Sequence, residues 1–116
     1  MDTAIMSAHP IDPEDCPVDC TLRVIGGRWK ALILYNLRDG PRRFNELRRL
    51  MPAVTQRMLT QHLRELEADG ILDRHVHQVV PPHVEYSLTP AGEQLAEHLV
   101  PLMRWIVGHA ADGDTS

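Results

Sequence analysis

Aromatic side chains make up only 4% of this 116-residue chain, too few for the stacking platforms on which single-stranded nucleic acids lie. Cysteine is almost as scarce. Cys16 and Cys20 are the only two, which excludes a disulfide scaffold of the secreted kind. Their i, i+4 spacing is wider than a Cys-x2-Cys zinc pair and no second pair follows, so no metal is expected. No apolar run approaches the ~18 residues that suggest a spanning helix. The N-terminus lacks both the basic start and the apolar stretch of a signal peptide, so a cytoplasmic protein without membrane contact is expected. Phosphate-binding loop, nucleophile elbow, His-Glu-x-x-His and an apolar carboxylate pair are all missing. Neither enzymatic activity nor a cofactor is therefore expected.

The net charge of -4 argues, taken alone, against a polyanionic partner, but its distribution reverses that. Residues 1–20 hold five acids and no Lys or Arg. Residues 21–89 hold eleven bases against seven acids, and residues 90–116 one base against four. A basic middle lies between acidic ends, and local charge is what meets phosphate.

Residues 1–15, with Pro10 and Pro13 among scattered acids, read as a flexible N-terminal arm. Residues 112–116 read as a frayed tail, leaving 16–111 as one domain. A short helix is predicted from Pro17 to Ile25, broken by Gly26-Gly27. Trp29, Leu32, Ile33 and Leu37 set a second helix, which Asp39-Gly40-Pro41 stops. Arg42, Arg43 and Phe44 form a short extended piece before a third helix over 45–50. Thr55 caps a fourth helix that Asp69-Gly70 closes. Strands follow over Ile71 to Val80 and around Val84, Tyr86 and Leu88, turned by Pro81-Pro82. Thr89-Pro90 starts the last helix, which Pro101 is expected to kink or break. The order is mainly α with a small β-hairpin wing, the layout of a winged helix-turn-helix.

The stretch from Thr55 carries two faces. Leu59, Leu63 and Leu66 recur at i, i+4, i+7 as a core stripe. Thr55, Gln56, Arg57, Thr60, Gln61 and Arg64 supply the amides, guanidinium groups and hydroxyls that read base edges or hold phosphate in a major groove. A solvated face is the bland alternative, and the flanking helix and hairpin argue against it. Arg42 and Arg43 precede the paired helices and are backbone-contact candidates. Arg48 and Arg49 point about 100° apart, so both cannot serve one phosphate row.

Together these residues resemble the HxlR-type winged-helix transcriptional regulators, relatives of the MarR group. The resemblance covers residues 16–108. Its motifs are Cys16-Pro17, VIGGRWKALIL (24–34), DGPRRFNELRR (39–49), LTQHLRELEADGIL (59–72), PPHVEYSLTPAG (81–92) and a final helix with a tryptophan. It implies a homodimer, joined through the first and last helices, that binds an inverted repeat in double-stranded DNA and regulates transcription. It places Arg74 and His83 in the wing as DNA contacts. Family members often carry Arg or Lys at the position of His83, Tyr at that of His77 and an acid at that of Val79. A wing histidine holds phosphate more weakly than arginine, unless phosphate binding itself protonates it and makes affinity pH-dependent.

Some members have a sensor cysteine at the Cys-Pro position, which makes Cys16 the redox candidate, with an electrophile or another small molecule as effector. Two ordinary thiols are the alternative. His75, His77, His83 and Glu85 invite a metal reading, but the wing is exposed and no cysteine lies near. Surface or phosphate contact is expected instead. Leu95, Leu99, Leu102, Trp105 and Ile106 form a stripe read as core plus dimer interface. A winged-helix module that docks a protein instead of DNA is the rival reading, and the basic reader face speaks against it.

Overall fold

A computed structural model describes residues 16–113 of the chain, and the arm expected over 1–15 lies outside them. Helix α1 spans Pro17–Ile25, with Pro17 in its first turn. Helix α2 spans Arg28–Leu37 and buries Ile33, Leu34 and Leu37. The two-residue strand β1 (Arg42–Arg43) leads into α3 (Phe44–Leu50). Phe44 thus opens the helix rather than extending the strand, and Glu46 caps that start by accepting from the Arg43 N–H at 2.8 Å.

Helix α4 spans Gln56–Ala68. Thr55 caps it as expected, its Oγ1 accepting from the Met58 N–H at 3.1 Å. At the other end Gly70, at φ 78°, takes the left-handed turn that glycine adopts without steric cost. The Ile71 N–H then reaches back to the Leu66 carbonyl at 3.0 Å.

The hairpin pairs β2 (Leu72–His77) with β3 (His83–Leu88), antiparallel, with Arg74 opposite Tyr86 and His77 opposite His83. Strand β1 adds to the outer side of β3, giving the order β1-β3-β2. Strand β2 ends three residues short of the expected Val80, because Pro81 and Pro82 offer no N–H to a ladder.

Helix α5 spans Pro90–Gly113. Thr89 starts it, and that one hydroxyl ties three segments. Its Oγ1 accepts from the Gly92 N–H at 3.0 Å and donates toward the carbonyls of Gly70 (2.7 Å) and Ile71 (3.1 Å). A Cβ on Gly92 would stand 2.2 Å from the Ile71 carbonyl oxygen, so the approach needs glycine. The helix continues unbroken through Pro101, contrary to one of the two expected outcomes. It also includes Asp112 and Gly113, two residues of the expected tail.

Val24, Ile33, Leu34, Leu37, Leu47, Leu59, Leu63, Leu66, Leu72, Tyr86 and Leu99 form one core beneath α4 and the sheet. No helix of the described residues is long and apolar enough to cross a membrane.

Candidate nucleic-acid interface

The stripe of Leu59, Leu63 and Leu66 is at most 1% exposed, which fixes the rotation of α4 and turns its other side outward. Gln56, Arg57, Thr60, Gln61 and Arg64 all line one open concavity on that side. Five of the six reader residues expected from sequence are thus brought together. The sixth, Thr55, adjoins them with its oxygen already engaged as the cap.

The side chains of this face differ in how far they are committed. Thr60 Oγ1 donates to the Gln56 carbonyl at 2.8 Å, leaving its methyl group and lone pairs for a ligand. Gln56 Oε1 accepts from Arg48 of α3 at 3.4 Å. Gln61 Nε2 donates to Glu65 Oε2 at 3.3 Å. Arg57 and Arg64 are exposed, and their side chains engage no other described residue. Two guanidinium groups without carboxylate partners, on a face otherwise made of amides and a hydroxyl, suit a phosphate row or guanine edges.

A second groove lies between α3 and the wing. Arg43, Arg49, Arg74 and His83 line it, with Glu46 as the acid among its lining residues. The structure therefore groups Arg43, Arg74 and His83 as expected and adds Arg49. Glu46 is held below the ordinary carboxylate range. The Arg43 N–H is the main cause, opposed by slight burial and assisted by the charges of Arg42, Arg49 and Arg43. Arg42 is half-buried and its Nε donates to the Asn36 carbonyl at 2.7 Å, tying the strand to the end of α2 and leaving its terminal guanidinium nitrogens for a ligand.

His83 is half-buried and stacks on His77, the ring centroids 4.6 Å apart. His77 Nε2 lies 3.0 Å from Glu85 Oε1. Among the described residues no group of three or more His, Cys, Asp or Glu side chains is arranged to hold a metal.

The expected interface stripe divides in two. Leu99 is 6% exposed and belongs to the core, and Leu95 packs against it half-buried. Leu102, Trp105 and Ile106 are exposed, and Val107 joins them at 70%. On α1, Val18 and Leu22 are also exposed, one turn apart. Cys16 is an exposed thiol next to α1, and Cys20 is half-buried.

Sequence reading missed Lys30. It is 9% exposed, the one buried charged residue among those described. Its Nζ lies 2.9 Å from Glu65 Oε1. A lysine one residue after Trp29 and followed by the apolar run 31–34 was the available signal.

Two helices at a turn, the second with an exposed polar face, and a hairpin beside them define a winged helix-turn-helix protein of the DNA-binding class. The family model described as HxlR-like helix-turn-helix matches residues 24–113, and the chain belongs to that family of transcriptional regulators. The HTH-type transcriptional regulator YybR of Bacillus subtilis (strain 168) is 55% identical over 92 residues, 79% of this chain and 74% of YybR. The redox regulator HypR in its oxidized form superposes with a TM-score of 0.74 at 56% identity, covering 78% of this chain and 93% of that one. Its reduced form gives a TM-score of 0.79 at 48% identity, covering 87% and 100%.

Proposed function

We propose that this chain is a sequence-specific repressor that acts as a homodimer on an inverted-repeat operator. The observation that carries the reading is the shared concavity of Gln56, Arg57, Thr60, Gln61 and Arg64, with its two uncommitted arginines. Thr55 adjoins this concavity as the cap of the same helix. Arg43, Arg74 and His83 hold the flanking backbone from the wing groove.

The exposed apolar side chains of α5 and α1 support the dimer, since such a surface favours a partner. A two-fold dimer presents two reader helices to successive major grooves about 34 Å apart, which demands an inverted repeat. Occupying a promoter in this way blocks it.

Cys16 is the candidate for thiol modification, or for an electrophilic or other small effector. Its exposure beside a surface helix supports the assignment, as does the likeness to a redox regulator.

The test is an electrophoretic shift with the DNA upstream of the chain's own coding region, titrated with salt. Specific retardation that weakens steeply as salt rises is expected, because neutralising phosphates releases counterions. No preference over random DNA would refute the reading. Operator affinity identical before and after diamide would refute the thiol switch alone.

A further inference from the structure

We propose that Lys30 and Glu65 are positioning residues that fix which end of the Gln61 amide faces DNA, and so which bases the chain prefers. The inference rests on the DNA-reading function proposed above. One carboxylate joins two environments. Glu65 Oε1 lies 2.9 Å from the buried Lys30 Nζ, and Oε2 accepts from Gln61 Nε2 at 3.3 Å. Lys30 is itself fixed by α1, donating to the Arg23 carbonyl at 3.4 Å. His62 adds a nitrogen 3.7 Å from Oε1. The chain of contacts therefore runs from the last turn of α1, through the interior, to a side chain on the reading face.

Glu65 remains ionised at neutral pH. Burial works to raise its pKa, but hydrogen bonds from Lys30 and Gln61, with the charges of Lys30 and His62, outweigh burial and lower it from the ordinary carboxylate value. An ionised carboxylate only accepts hydrogen bonds, so the end of Gln61 it engages is the NH2 group. Gln61 then turns its carbonyl oxygen away from Glu65 and outward. An outward acceptor has nothing to offer a phosphate. In the major groove it pairs with the exocyclic amino groups of adenine (N6) and cytosine (N4), whereas guanine and thymine show only acceptors there. The second Nε2 hydrogen stays free, but the outward carbonyl favours A or C, which offer it a donor, over G or T.

The experiment uses the full chain and duplexes that the wild type selects from a random-sequence pool. Dissociation constants for the selected site and its single-base-pair variants, at fixed salt, locate the position whose preference Gln61→Ala flattens. At that position wild type is expected to prefer A or C. In Lys30→Met and Glu65→Gln the preference ratio is expected to fall about five- to tenfold, within what one base-edge contact discriminates. Combining either change with Gln61→Ala should give no further loss. Glu65→Gln keeps the volume but can donate or accept, so it releases the polarity. It carries the test alone should urea unfolding show that Lys30→Met does not fold.

Affinity lowered equally on every duplex with ratios unchanged would make the pair structural and overturn the inference. So would a preference for G or T at that position, or a Gln61→Ala variant that flattens none. A pool that yields no consensus would overturn the DNA-reading function, and this inference with it.

Discussion

The reading face of α4 and the far half of α5 are both exposed, but they lack partners of opposite kinds. The first presents two guanidinium groups without counterions. The second presents Leu102, Trp105, Ile106 and Val107 without apolar cover. Water solvates the former at little cost, so the reading face can stand empty. Exposed apolar area of the latter kind favours association. On the dimer proposed above, the contrast implies an order of events: the apolar faces would pair first, and DNA would then be bound by an assembly already in place.

The largest effect expected is on the apolar side. Trp105→Ala with Ile106→Asp should yield a monomer by analytical ultracentrifugation. Operator affinity should fall by about 10² or more as the two readers lose their linkage. A dimeric variant that binds normally would break the comparison. Next is the core that orients the reader. Leu63→Ala should lower unfolding free energy by about 2–5 kcal/mol in urea titrations.

On the polar side, Arg57→Ala or Arg64→Ala should cost about 1–3 kcal/mol of operator binding while leaving stability and dimerisation unchanged. Thr55→Ala should cost about 1 kcal/mol of stability through the lost cap. His83→Arg should tighten DNA binding slightly and steepen the salt slope by about one unit, by adding a permanent cation to the wing groove.

The smallest effect is in acid. Glu65 has its folded-state pKa lowered from the ordinary carboxylate value, so it contributes stability above that ordinary value that is lost as pH falls through the depressed one. Glu65→Gln should flatten that acid limb of stability against pH.

The helix starts and stops were legible because they are local. Thr55 and Gly70 act through hydrogen bonds and backbone angles within a few residues of themselves, and Thr89 starts α5 by accepting from Gly92 three residues on. The rotation of α4 was legible because its leucine period and its polar residues point to the same solution.

The contacts that sequence did not announce depend on distant neighbours. Lys30 is buried only because α1 and α4 both close over it. Arg42 turns to a carbonyl of α2 that no nearby residue announces. Leu99 and Leu102 share one stripe, yet Leu99 is buried and Leu102 exposed. Periodicity gives the direction of a side chain, not how far along a helix its cover extends.

The hydroxyl of Thr89 bears on how such a protein can be switched. It fastens the exit of the reader helix, the root of the wing and the start of α5 to one another, and Gly92 allows no slack there. These contacts join the reading head to α5 at its root. In the dimer proposed above, a signal would then act on the distance and tilt between two heads, and so on the match between head spacing and the helical repeat of DNA.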